Sequence, residues 1–224
     1  MASFNHNREE FKGKLFVVEG VEGAGKTTQL NLLQRWLESK GYAVNYTRRR
    51  TSKLVSKTIE SAKANKTLTP ITYSLIHAAD FADRLYNLII PALKAGIIVL
   101  ADIYIYTSFA RDIVRGNSRE WVKELYSFAL PPDGVVYLRV PIDICFGRSG
   151  PERIREFYDS GMDTGLSSDP EESFRMFHDK IIQEFEDWML DEYKFNVIDG
   201  TKPIHIIQHE LRKYIDGLLR GKAS

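Results

Sequence analysis

Gly20-Val21-Glu22-Gly23-Ala24-Gly25-Lys26-Thr27-Thr28 places three glycines, a lysine and two hydroxyls in one short stretch. Such spacing fits a phosphate cradle. Glycines let the backbone curl until several N–H groups converge, and a helix that follows adds the positive end of its dipole. Lys26 then brings a mobile charge, and Thr27 a hydroxyl suited to Mg²⁺. The flanks agree with that reading. Leu15-Phe-Val-Val-Glu19 is a short apolar run of strand type, and Leu30, Leu33 and Leu37 recur at helical spacing beyond the loop. A strand, a glycine turn and a helix imply a nucleoside triphosphate site.

Other residues are candidates for completing the chemistry. Asp102 ends the apolar run Ile97-Ile-Val-Leu-Ala101, where its carboxylate fits either a metal opposite Thr27 or a helix N-cap. Glu22 lies within the glycine loop, where it meets an acceptor or metal, or simply solvent. Arg148, Arg153 and Arg155 crowd a charged, glycine-containing stretch over about 148–168. Guanidinium groups on a closing lid would neutralise a transferring phosphoryl group and exclude water; the alternative is a solvated charge run. Arg48-Arg49-Arg50 ends a second strand, as a second phosphate site or an exposed turn. On a long helix His77, Phe81 and Arg84 share one face, which suits a base stack with a phosphate-binding cation, or core packing with a polar rim.

The elements that must position these residues alternate. Strands are expected near 15–19, 42–47, 97–101, 135–139 and 195–198. Helices are expected over 52–64, from Thr69-Pro70 to a perturbation at Pro91, around 106–115 and 119–129, from 141, over 174–190 and over 203–220. Five apolar strands with helical crossovers imply a parallel sheet covered on both faces, with ligands at the strands' carboxyl ends. A chain of 224 residues with 43% hydrophobic residues and a net charge of +1 suits one α/β domain, here 15–220, behind a polar extension, 1–14. Near-neutral charge argues against a surface built for nucleic acid. The single Cys145 excludes an internal disulfide or a cysteine metal cluster, and reads as a small core residue. The polar start and the lack of a run of about 20 apolar residues predict a cytoplasmic protein without a membrane anchor.

Several of these residues together resemble the thymidylate kinases, within the P-loop nucleoside monophosphate kinases. Phe16 to Gln29 follows that family's loop almost letter for letter. Ala79-Asp80, Pro91-Ala-Leu93, Asp102-x-Tyr104 and Val197-Ile-Asp199 follow in its order and spacing, so the likeness spans Phe16 to about Tyr214. The resemblance implies a P-loop NTPase fold, three-layer α/β/α with a five-stranded parallel sheet and a mobile lid, usually as a homodimer. It implies phosphorylation of dTMP to dTDP with ATP and Mg²⁺. In that scheme Gly20, Glu22, Gly23, Ala24, Gly25, Lys26, Thr27, Thr28 and Asp199 bind the donor, while Thr27 and Asp102 hold the metal. Lys26, Asp102, Arg148 and Arg153 act on the transferred group. Arg48, His77, Phe81, Arg84, Tyr104, Ser108 and Arg111 face the acceptor. Ala24, a non-basic loop residue, with arginines in the lid is similar to the bacterial-type arrangement.

The chain departs from the family on the acceptor side. Phe81 and Ile103 stand where arginines usually bind the acceptor phosphate, Arg49-Arg50-Thr51 replaces a Glu-Pro-Gly, and Arg111-Asp112 replaces a tyrosine and a glutamine. Arg84, one turn beyond Phe81, together with Arg49, Arg50, Arg111 and Arg115, offers cations for a differently shaped phosphate site. Two alternatives therefore stand beside dTMP phosphorylation: a different nucleotide or phosphometabolite acceptor, or a nucleotide-binding module with impaired transfer.

Overall fold

A computed structural model of the chain describes residues 11–221. Five strands, β1 (Leu15–Glu19), β2 (Val44–Arg48), β3 (Ile98–Asp102), β4 (Gly134–Arg139) and β5 (Asn196–Asp199), form one parallel sheet in the order β2-β3-β1-β4-β5. Every residue of β1 and β3 is buried, so helices must cover both faces, and the apolar runs that precede Glu19 and Asp102 are what such strands require. All five carboxyl ends lie along one edge. The register pairs Arg48 with Asp102 and Val18 with Asp102, which brings β1, β2 and β3 to the same level there.

The helices are α1 (Lys26–Ser39), α2 (Ser56–Ala64), α3 (Pro70–Arg84), α4 (Ile90–Lys94), α5 (Tyr106–Val114), α6 (Arg119–Leu125), α7 (Ile142–Arg148), α8 (Pro151–Arg155), α9 (Pro170–Glu184), α10 (Leu190–Glu192) and α11 (Ile204–Leu219). Helices α1 and α11 pack together through Leu30, Leu33 and Leu37 and through Ile207, Leu211 and Ile215, all buried. Helices α3, α5 and α9 form a second group, with Phe81, Phe109 and Phe177 in the core. Burial of each such side chain is worth about 1.5–3 kcal/mol.

Two local differences from the sequence reading have clear causes. The helix expected from Ser52 begins at Ser56, because the Ser52 hydroxyl accepts from the N–H groups of Leu54 (3.1 Å) and Val55 (3.2 Å) and stabilises a turn instead. Pro91 does not end the long helix. A π-helical turn, Leu85–Ile89, precedes it, and the proline falls in the first turn of α4, where it is well tolerated. The charged, glycine-containing stretch 148–168 contains α8 and a 3₁₀ turn, Met162–Thr164, with Ile154, Tyr158 and Ser160 buried. Of the N-terminal extension, residues 1–10 lie outside the described region. Its end is tied to the body, with Gly13 N–H donating to Leu93 O (2.9 Å) and Lys14 paired with Asp133 (3.1 Å).

Candidate active site

The loop after β1 turns on two glycines for different reasons. Gly23 has φ 82°, and a Cβ there would sit 2.2 Å from the Cys145 carbonyl oxygen of α7, so backbone packs directly on backbone. Gly25, at φ 94°, is the left-handed residue from which α1 starts. The N-terminal end of α1 therefore faces the space the loop encircles, with its first N–H groups free of helical partners. Lys26, the first residue of α1, is buried and folds back so that its ammonium donates to Val21 O (2.8 Å).

Beside the loop, Thr27 donates to Asp102 Oδ2 (2.5 Å), and the Tyr46 phenol of β2 donates to the same oxygen (2.8 Å). Burial, and next the Asp102 charge, push the Tyr46 phenol up, so it stays a donor. A hydroxyl and a carboxylate at the edge of a phosphate loop are hard oxygen donors, the set Mg²⁺ takes when substrate phosphates and water supply its other ligands. Glu19, the last residue of β1, is fully buried. Its carboxylate accepts from Tyr104 N–H (2.8 Å), Thr107 N–H (3.3 Å) and the Thr107 hydroxyl (2.5 Å). Burial raises its pKa against the pull of those bonds. They hold the turn after β3, where Ile103 has φ 67°, a strained conformation for a β-branched residue.

A cleft of about 320 Å³ opens from Lys26, Thr27 and Asp102. Its walls carry seven basic residues, Lys26, Arg48, Arg49, Arg50, Lys63, Arg111 and Arg153, against four acidic ones, Glu22, Glu60, Asp102 and Asp159. The excess of positive charge suits a phosphorylated ligand. Behind the wall, Arg49 donates to the Tyr73 hydroxyl (3.1 Å) and lies 3.5 Å from His77 Nε2. Burial would raise the Tyr73 phenol, yet Arg111, Arg49 and Arg115 together pull it down to about 7. Burial, and then Arg49, hold His77 well below the usual range, so its ring is neutral.

Comparison with known proteins decides the family. The thymidylate kinase family model matches residues 18–211. A probable thymidylate kinase 2 of Saccharolobus solfataricus is 38% identical over 218 residues, covering 93% of this chain and all of the relative. A probable thymidylate kinase of Thermococcus onnurineus is 30% identical over 88% of this chain and 98% of its own, and a thymidylate kinase of Thermomicrobium roseum is 38% identical over 58% of this chain and 64% of its own. The chain belongs to the thymidylate kinase family. Its reaction class is accordingly phosphoryl transfer to a nucleoside monophosphate, on a P-loop fold.

Within this chain the structure gathers some sequence candidates into the cleft and holds others back. Glu22, Lys26, Thr27, Arg48, Asp102, Arg111 and Arg153 line it. Gly20, Gly23, Ala24, Gly25 and Thr28 form the loop and the start of α1. Asp199 caps its own turn by accepting from Thr201 N–H (2.9 Å) and its hydroxyl (2.6 Å). That turn lies against the loop, and Arg148 donates to its Gly200 carbonyl (3.0 Å) rather than reaching over the cleft. Phe81 does not face a ligand: it is packed in the core against Tyr104 (4.9 Å), Phe128 (5.6 Å) and Tyr126 (5.9 Å). Arg84 is engaged inside, with Asp80 (2.9 Å) and Thr47 (3.2 Å). Tyr104 donates to Leu130 O (3.0 Å), and Ser108 is buried on α5. Asp112, likewise buried on α5, is pushed up to about 6 by burial against the pull of Arg115.

Four contributors escaped the sequence reading: Tyr46, Glu60, Lys63 and Asp159. Tyr46 lies two residues before Arg48 on β2, so strand alternation places both on one side. An acid terminating an apolar run, as Glu19 does, was a visible signal of a buried carboxylate. Lys63 and Asp159 had none, because each reaches the cleft only through the packing of α2 and of the segment after α8.

Proposed function

We propose that this chain transfers the γ-phosphoryl group of ATP to dTMP, forming dTDP. The observation that carries the reading is the continuity of one cleft, from the loop lysine and the Thr27–Asp102 pair to the arginines that end β2 and lie on α5 and α8. Two phosphorylated substrates, entering from opposite ends, would meet there.

The donor's phosphates bind the loop N–H groups and the N-terminal end of α1, and Lys26 exchanges the neutral Val21 carbonyl for anionic oxygens. Thr27 and Asp102 would hold Mg²⁺, which neutralises charge on the donor phosphates when bound. Tyr46 fixes the Asp102 carboxylate from the side. The acceptor needs no strong base, since its phosphate oxygen is already anionic; alignment and charge neutralisation carry the step. Arg153, at the cleft, would face the transferred group, and Arg111 with the Arg48–Arg50 segment the acceptor phosphate; their presence in the cleft wall supports this reading. The Asp199–Thr201 turn, packed beside Ala24, borders the donor's base end.

The homodimer is part of this reading. The outer face of α3 exposes Ile71 and Leu75, and Tyr86 follows in the π turn, a one-sided apolar strip that a second copy would cover. Light scattering should then return twice the 25.7 kDa chain mass. A cytoplasmic location also belongs here; among the described residues no helix is long and apolar enough to cross a membrane. The deciding assay offers Mg·ATP with dTMP, dUMP, UMP, CMP, AMP and GMP. Turnover of dTMP above the others is expected, and an inert dTMP beside an active competitor would overturn the assignment.

A further inference from the structure

Asp159 lies in the buried turn after α8, and its carboxylate is the meeting point of four cations from four elements. Arg111 of α5 reaches Oδ1 (3.0 Å), while Arg153 of α8 (3.1 Å), Lys63 of α2 (3.3 Å) and Arg50 after β2 (3.5 Å) reach Oδ2. Its own backbone is pinned. The N–H donates to Glu156 Oε2 (2.5 Å), and the carbonyl contacts His178 Nε2 (3.1 Å). The preceding carbonyl, of Tyr158, accepts from Arg111 (3.1 Å) and Arg115 (2.8 Å). The carboxylate is therefore fixed rather than free to swing away.

Glu156 Oε2 also pairs with Lys63 (3.1 Å), yet two carboxylates do not balance four cations. Left alone, like charges at these separations repel and scatter long side chains, and an oriented guanidinium is worth more to a phosphate than a mobile one. The array also keeps donors in reserve, since Arg111 Nε and Arg49 Nε are buried without a hydrogen-bond partner. A further anion is what the arrangement lacks, and the cleft brings it to the same wall.

We propose that Asp159 is the positioning carboxylate of the acceptor site: it gathers Arg50, Lys63, Arg111 and Arg153 into one array that the acceptor's phosphate completes. The proposal rests on the kinase reading above. Asp159 acts through the four cations, not on the reacting atoms. It also ties the α8 segment to α2 and α5, so that acceptor binding and the seating of Arg153 share one anchor.

Steady-state kinetics with dTMP and ATP varied separately test this. For Asp159→Asn the KM for dTMP should rise about tenfold or more while that for ATP stays within about twofold, and Asp159→Glu should recover part of the loss. Asp133→Asn, which breaks an ion pair at the amino end of β4, controls for lost structure and should leave both KM values unchanged. A dTMP KM that stays level or falls, or a parallel rise in both KM values, overturns the proposal. If Asp159→Asn does not fold, as judged by circular dichroism, Lys63→Gln decides: a rise of about threefold or more in the dTMP KM supports the array, and no change overturns it. Wild-type enzyme active on another acceptor but not dTMP would instead sink the substrate assignment, and the same variants would then be read against that acceptor. Wild-type enzyme without turnover or calorimetric binding of any monophosphate would overturn both.

Discussion

The two halves of the cleft are built from different material. On the side assigned to the donor the cradle is mostly backbone: the loop Gly20–Gly25, the first turn of α1, and two glycines whose conformations the chain itself dictates. On the side we assign to the acceptor it is almost all side chain. Arginines and a lysine from β2, α2, α5 and α8 are held apart and together by Asp159. A backbone cradle tolerates little change in sequence because its geometry is local. A side-chain cradle can be rebuilt from other positions provided the charges still converge. That contrast fits the sequence reading, in which the loop resembles the family's nearly letter for letter while the residues assigned to the acceptor depart from it.

The sharpest way to break the comparison is at the donor end. Lys26→Ala should lower kcat by about 10²–10³-fold, because one charge is lost where negative charge develops; retained turnover would show that Arg148 and Arg153 carry the donor phosphates instead. Gly23→Ala forces a Cβ onto the Cys145 carbonyl at positive φ, and should cost about 2–4 kcal/mol in denaturant unfolding. A neutral result would mean that α7 yields to the loop. Arg111→Gln tests the other half. It should raise the dTMP KM about tenfold with little change for ATP, since neighbouring cations compensate in part; a loss confined to ATP would reverse the assignment of the two ends.

The smallest effect concerns pH. Burial, then Arg111, hold His178 down to about 3, so the folded chain keeps it neutral while the unfolded chain takes up a proton below about 6.5. The unfolded state then binds more protons, and stability falls as pH drops through that window. His77 adds to this in the same direction, whereas Asp112, raised to about 6, opposes it by gaining a proton in the folded state first. His178→Phe, placed between Phe174 and Phe177, should lessen the loss of stability between pH 7 and pH 5 by about 1–2 kcal/mol, measured as the difference in unfolding free energy at the two pH values.

The same contrast explains what could be read from the residues alone. The loop, Asp102 and all five strands were legible, because a glycine turn and an unbroken apolar run report local geometry directly. His77, Phe81 and Arg84 share a helix face as expected, but that face turns inward, to aromatic packing and to the Asp80 pair, and period alone does not say what lies opposite. Pro91 marked a perturbation of the long helix, but its form, a π turn over Leu85–Ile89, has no single-residue signature. Asp159 and Lys63 were invisible since neither belongs to a motif and they meet across 96 residues of chain.

Glu19 carries a mechanical consequence. It closes β1 immediately before the phosphate loop, and its two oxygens clamp the turn that begins at the strained Ile103, directly after Asp102. The phosphate loop and the metal-side carboxylate are thus mounted on a single strut. Glu19 therefore ties the opening of the phosphate loop to the segment that follows Asp102, so the two share one support at that end of the cleft.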